Sequence, residues 1–150
     1  MRLKSYTDYA LRVLMHLAAR PDRLASIGEI ARTYRISHNH LMKVVQDLRT
    51  EGFLDAVRGR SGGIRLARPA TEIKVGDVVR HTEGTFDLVD CESCVIARAC
   101  SLTGALHEAR RAFMAVLDDY SLQDLVADRK RGLLELIESF DKQPPPAEAA

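Results

Sequence analysis

A mainly α-helical chain with one small β hairpin is predicted by three features of the sequence. Apolar residues recur at helical spacing over residues 7–19 and 38–48; the stretch Arg58-Gly59-Arg60-Ser61-Gly62-Gly63 separates two short β-prone runs; and a long helical pattern begins at Ser101.

The first helix carries Ala10, Val13, Leu14 and Leu17 on one face and is closed by Pro21. Ser26-Ile27-Gly28-Glu29 has the form of a capping box, in which the Ser hydroxyl and the Glu carboxylate satisfy each other's free backbone donors, and it opens a short helix ending near Tyr34. After a turn at Arg35-Ile36, Ser37 is placed to cap a third helix. Its buried stripe is Leu41, Val44, Val45 and Leu48, and its other face displays His38, Asn39, His40, Lys43, Gln46 and Asp47. Gly52 ends this helix, and residues 53–57 and 64–67 read as strands around the glycine-rich tip. A short helix follows over residues 75–81. Residues 84–100 show no clear period and hold all three cysteines. From Ser101, Leu102, Ala105, Leu106, Ala109, Phe113, Val116 and Leu117 form an apolar stripe too long for so small a core. Ser121 caps a further turn, and Leu133, Leu134, Ile137 and Phe140 mark a last helix before Pro144-Pro145-Pro146.

Two short helices, a third helix with a polar face and a basic glycine hairpin, in that order, make a winged helix-turn-helix. In that arrangement the third helix enters the major groove of duplex DNA, and the hairpin carries arginine toward the minor groove. The candidate DNA contacts are therefore Ser37, His38, Asn39, His40, Lys43, Arg58 and Arg60. Asn39 is suited to bidentate bonding of adenine, and Lys43, Arg58 and Arg60 to phosphate or guanine. The alternative is a small helical bundle with a plain glycine turn, which leaves the polar face without a use.

Charge divides the chain in the same way. Residues 1–80 hold fifteen Lys or Arg against eight Asp or Glu, a balance of +7, whereas residues 81–150 stand at −6, so the net charge of +1 hides an electropositive front half. With 5% aromatic residues and no Trp, a base-stacking surface for single strands is disfavoured. No glycine-rich nucleotide loop follows a strand and no nucleophile has a convincing base, so an enzyme is not expected. Lys4, Asp8 and Arg12 interrupt any signal-like run, and nothing approaches the ~20 apolar residues of a membrane span, so a cytoplasmic protein is expected.

Cys91-Glu92-Ser93-Cys94 and Cys100 give a C-x2-C-x5-C spacing. Thiolates so close in sequence can converge on one metal centre, and cysteine ligates both zinc and iron–sulfur clusters. A structural zinc site wants four protein ligands and no His lies in the loop; an iron–sulfur cluster with a non-Cys fourth ligand, left open or donated by a partner subunit, suits three cysteines better. Three unrelated thiols are the alternative.

Residues 1–3 and 7–12, residues 36–45, the Arg58–Gly63 tip, residues 75–80 with Glu83-Gly84, the cysteine loop and residues 120–126 together resemble the NsrR/IscR-type winged-helix iron–sulfur regulators. Within that family the wording of the third helix and of residues 120–126 is similar to the nitric-oxide-sensing NsrR branch. The resemblance implies a homodimer whose long helix after the cysteines packs on its partner, and a cluster held by Cys91, Cys94 and Cys100. It further implies that an Asp early in the first helix of the other subunit completes the coordination, the position Asp8 occupies here; a solvated carboxylate at a helix start is the alternative. IscR-type members place a His three residues after the third Cys, where this chain has Thr103, and His107 lies seven residues after Cys100, ~10 Å along a helix. The first cysteine gap is shorter than the family's, which leaves the cluster type open, with [4Fe-4S] favoured over [2Fe-2S].

The expected organisation is a winged helix-turn-helix plus a long C-terminal dimerisation helix: residues 1–83 for DNA, 84–100 for the cluster, 101–140 for dimerisation and C-terminal helices, and 141–150 as a disordered tail. The expected function is a repressor that binds an imperfect palindrome in duplex DNA and releases it when nitric oxide attacks the cluster. A regulator sensing iron supply or redox state through a two-iron cluster is the alternative.

Overall fold

The structure, a computed structural model, describes residues 2–143. It is mainly α-helical with one hairpin: α1 (Ser5–Ala19), α2 (Ile27–Tyr34), α3 (His38–Thr50), β1 (Leu54–Val57), β2 (Gly63–Leu66), α4 (Val75–Glu83), α5 (Leu102–Asp119), α6 (Leu122–Ala127) and α7 (Lys130–Asp141), with a single 3-10 turn at Ala97–Ala99. The order and packing are those of a winged helix-turn-helix followed by a long helix, as the sequence predicts.

Each helix of the winged unit buries the stripe its spacing dictates. Ala10, Val13, Leu14 and Leu17 of α1 meet Ile30 of α2 and Leu41, Val44, Val45 and Leu48 of α3, all at most 2% exposed. At ~1.5–3 kcal/mol for each large apolar side chain buried, this face supplies most of what holds α3 in place. The turn between α2 and α3 is made by Arg35, which takes the left-handed conformation (φ 54°), and by Ile36, whose N–H reaches back to the Ala31 carbonyl at 3.0 Å. The β hairpin is antiparallel, with Leu54 opposite Leu66 and Val57 opposite Gly63, and Ala25 bridges to Ile64 on the outer edge of β2. Gly59 at its tip has φ +114°, a conformation side-chain-bearing residues rarely adopt.

Of two expected caps, one closes in part and the other makes no side-chain bond. The Ser26 hydroxyl accepts the Glu29 N–H at 3.0 Å, but the Glu29 carboxylate turns instead to Arg20 (3.3 Å) and Arg23 (3.0 Å), so the box is half closed. Ser37 stands at the N-cap of α3 without a side-chain bond, leaving its hydroxyl exposed at the start of the helix. The full capping box lies at Ser121 and Asp124, where both reciprocal bonds are made.

The chain then folds back on itself. Val75 N–H bonds Tyr120 O and Leu122 N–H bonds Ile73 O, each at 3.0 Å, so the start of α4 is pinned beside the end of α5. The two helices run antiparallel from that clasp. At 1.5 Å per residue α5 is about twice the length of α4, so its first turns, with the cysteine segment against them, overhang the winged unit by ~13 Å. No residue of α5 is fully buried. Beyond the clasp, α6 returns to the core, where Leu122 and Val126 are at most 1% exposed, and α7 lies against α2. The C-terminal helices after α5 therefore share the core of residues 1–83. Helix α7 extends to Asp141, the first residue of the expected tail, and Asp141 accepts from Thr33 (2.6 Å) and Arg20 (3.3 Å). Residues 144–150 of that tail lie outside the described residues. No helix among the described residues is long and apolar enough to cross a membrane.

Candidate DNA-reading face and cysteine loop

The polar face of α3 is where its apolar stripe forces it to be. With Leu41, Val44, Val45 and Leu48 inward, Ser37, His38, Asn39, His40 and Lys43 are exposed along the first turns, and Arg58 and Arg60 are exposed at the hairpin tip. None of the ion pairs among the described residues uses Lys43, Arg58 or Arg60. Three cations free of carboxylates lose no existing pair when they neutralise phosphates.

Asp47 departs from that face. It was expected on the displayed side of α3, but its side chain turns inward, where Oδ2 accepts the Tyr6 hydroxyl at 2.9 Å and lies 2.8 Å from His81 Nε2. Burial and the bond to Asp47 push the Tyr6 phenol up to about 12, so it stays a donor at any physiological pH. His81 Nδ1 is also 3.7 Å from the Glu51 carboxylate. One carboxylate of α3 is thus tied to both α1 and α4.

A second tie lies one turn away. Glu83, the last residue of α4, is buried, and its carboxylate accepts the Lys4 backbone N–H at 2.8 Å and the Thr7 hydroxyl. Lys4 Nζ in return donates to the Glu83 carbonyl at 2.6 Å. Because Lys4 and its neighbours supply no side-chain cap, the carboxylate of a residue far along the chain serves the N-terminus of α1, where a negative charge is favoured by the helix dipole. Asp8 sits on the same turn, half exposed and ion-paired to Arg12 at 2.9 Å.

From Gly84 the chain enters the cysteine loop. Its root is clamped on α5: Arg110 donates to the Phe86 carbonyl at 3.1 Å and to Asp87 at 3.2 Å, and the Phe86 and Phe113 rings stack at 5.7 Å. Successive turns carry Cys91, Cys94 and Cys100, with Cys94 N–H on Cys91 O (3.3 Å) and Ala97 N–H on Cys94 O (3.2 Å). All three thiols are free; Cys94 is exposed and the other two are half-buried. Thr103, at the position where a His is absent, places its hydroxyl 3.2 Å from Cys91 Sγ. His107 lies one turn beyond Thr103, on the exposed side of α5. Among the described residues no three His, Cys, Asp or Glu side chains stand together as a metal site, and Asp8 is not brought to the cysteines of its own chain. The donor set nonetheless suits iron: three unpaired thiols on one short loop, with no imidazole among them.

The exposed face of α5 is more regular than the mixed stripe read from sequence. Leu106, Phe113 and Leu117 turn toward the rest of the chain, whereas Leu102, Ala105, Ala109, Ala112 and Val116 face outward, Leu102 at 55% and Val116 at 57% exposure. Their alternating spacing of three and four residues is that of a coiled-coil seam. It was legible in the sequence once the two faces were separated. Asp47, His81 and Glu83 were not, since only the fold brings them together.

The comparisons agree on one family. The Rrf2 profile, described as an iron-dependent transcriptional regulator, matches residues 3–128. The HTH-type transcriptional regulator NsrR of Bacillus subtilis is 49% identical over 136 residues, covering 87% of this chain and 93% of that protein, and the NsrR of Shouchella clausii is 46% identical over 143 residues, covering 90% and 96%. Among solved structures, IscR of T. potens superposes with a TM-score of 0.72 at 26% identity, covering 85% of this chain and 88% of that one. CymR, the global cysteine regulator of B. subtilis, superposes at 0.70 with 28% identity, covering 85% and 97%. These relatives are regulators of transcription and not enzymes. The chain belongs to the Rrf2 family, as an NsrR-like, DNA-binding transcriptional regulator.

Proposed function

We propose that this regulator is a homodimeric repressor whose grip on an imperfect palindrome depends on an iron–sulfur cluster, and that nitric oxide releases it. The observation that carries the reading is the place of the cysteine loop. It joins the winged unit, through Glu83 and Gly84, to α5, whose outward seam is built for a second copy. A group held by the loop would therefore sit on the segment that links each DNA-reading head to the helix that pairs the subunits, and the spacing of those heads decides how a dimer fits two half-sites.

Cys91, Cys94 and Cys100 would hold the cluster, with the partner subunit's Asp8 as fourth ligand. Such a cluster would supply iron to which nitric oxide can bind. The chain's own residues do the rest: Arg110 fixes the loop root on α5, Thr103 holds the Cys91 sulfur, and Lys43, Arg58 and Arg60 hold phosphates while Asn39 reads a base edge. Residues 1–83 thus read DNA, 84–100 sense, and α5 pairs the subunits. A [4Fe-4S] cluster is favoured because Thr103 replaces the histidine of IscR-type members; the short gap between Cys91 and Cys94 leaves the cluster type open to the second reading, a two-iron cluster that senses iron supply or redox state.

Operator affinity of anaerobically prepared protein, measured before and after nitric oxide, tests the proposal, with native mass spectrometry reporting dimer and cluster mass. Loss of binding together with modification of the bound iron is expected. Unchanged affinity overturns the nitric oxide reading, and two irons per chain select the alternative cluster.

A further inference from the structure

We propose that Asp47 is the positioning residue through which the state of the cysteine loop reaches the DNA-reading helix; this rests on cluster control of DNA binding as proposed above. Helix α3 is held in the fold mainly by Leu41, Val44, Val45 and Leu48, whose packing is strong but non-directional. Asp47 supplies the directional bond. Its Oδ2 receives Tyr6 of α1 at 2.9 Å and His81 of α4 at 2.8 Å, with the Glu51 carboxylate on the far side of the same imidazole.

Both partners of Asp47 stand next to the loop's anchor. Tyr6 directly precedes Thr7, whose hydroxyl donates to the buried Glu83, and His81 lies two residues before Glu83 on the last turn of α4. Glu83 also takes the Lys4 N–H at 2.8 Å, and the next residue, Gly84, starts the segment that leads to Cys91. The front of α1, which carries Asp8, and the root of the cysteine loop are therefore one hydrogen-bonded unit, and α3 is attached to it at Asp47. Asp47 is eight residues from Asn39, ~12 Å along the helix, so a small displacement at Asp47 tilts the end that meets the bases. Bonds to base edges tolerate only a few tenths of an ångström, so such a tilt is enough to change affinity.

The test compares operator affinity of the cluster-loaded and cluster-free dimers at one salt concentration, for the wild type, Asp47→Ala and Tyr6→Phe. In the wild type the ratio is expected in the range of about 5- to 150-fold typical of coupled sites. In Asp47→Ala it collapses toward one, and in Tyr6→Phe, which removes a single hydroxyl, it falls part of the way. Amide exchange over α3, slow in the loaded wild type, is raised in loaded Asp47→Ala to the level of the cluster-free wild type. A merely structural role for Asp47 weakens both forms equally and keeps the ratio, which overturns the proposal while leaving cluster control intact. A wild type that binds equally in both forms overturns cluster control and the proposal with it. Should Asp47→Ala fail to fold, Tyr6→Phe decides alone: an unchanged ratio overturns the proposal.

Discussion

Gly76 of α4 faces Asp118 of α5 so closely that a Cβ on Gly76 would overlap the Asp118 carboxylate and stand 3.2 Å from its backbone nitrogen. That carboxylate is also the partner of Arg80, one turn further along α4. The close approach sets how α5 leaves the winged unit, and with it the direction of the seam.

Gly76→Ala therefore forces either the Asp118 side chain off Arg80 or the two helices apart. The expected cost is that of overpacking, about 1–3 kcal/mol, which for a chain of this size lowers Tm by several degrees. Thermal unfolding of the variant checks it, and an unchanged Tm shows that the α4–α5 contact yields freely.

His16 predicts a pH dependence. It is fully buried in α1, neither ring nitrogen has a hydrogen-bond partner among the described residues, and the Glu29 carboxylate is 4.0 Å away. Burial chiefly, with the nearby Arg20 and Arg23 guanidiniums and against the pull of Asp141, lowers its pKa from 6.5 to about 4. Below pH 6.5 the unfolded chain takes up a proton that the folded one refuses. Stability from this residue is thus fully present above pH 6.5 and is lost as pH falls toward 4, by something on the order of 3 kcal/mol in total. His16→Leu should flatten the fall in Tm between pH 7 and pH 5; an equally steep profile assigns the acid sensitivity to other groups.

The winged unit was legible because one-dimensional periodicity dictates it: the stripes of α1 and α3 are the core, and the glycine-arginine stretch is the hairpin tip. The cysteine segment was legible as a loop because residues 84–100 carry neither a helical nor a strand period. What escaped were choices among partners. Glu29 has the capping-box position, yet two arginines outbid the single backbone N–H for its charge. Asp47 has the helical position of an exposed residue, yet it finds a phenol and an imidazole from helices distant in sequence. Asp141 was assigned to a tail because the prolines follow it, and Arg20 and Thr33 hold it in α7 instead. Periodicity says which side of a helix is buried; it does not say which polar residue at the margin will be claimed.

The seam of α5 gives a test of assembly. Ala109 lies near its middle and is exposed in the single chain, so Ala109→Glu is expected to leave the stability of the single chain within ~0.5 kcal/mol of the parent while placing two like charges opposite each other in a dimer. Sedimentation at micromolar concentration should shift from dimer to monomer, and operator affinity should drop with it. A variant that remains dimeric locates the interface elsewhere.

Arg58 and Arg60 differ from Asn39 in what they should contribute to binding. Guanidiniums at a glycine-rich hairpin tip meet phosphates or a narrow groove, and each phosphate neutralised adds about 0.9 to the slope of log affinity against log salt. Because a dimer carries two copies of each, replacing either with Ala should weaken binding to operator and to unrelated DNA alike and reduce the salt slope by about 2. Asn39→Ala should instead leave the slope unchanged, cost about 1–3 kcal/mol per half-site on the operator alone, and relax the preference at one base pair of each half-site. Titrations of both variants at several salt concentrations separate the roles. If the two arginine variants lose specificity without losing slope, the hairpin reads bases, and the division of labour between α3 and the hairpin is reversed.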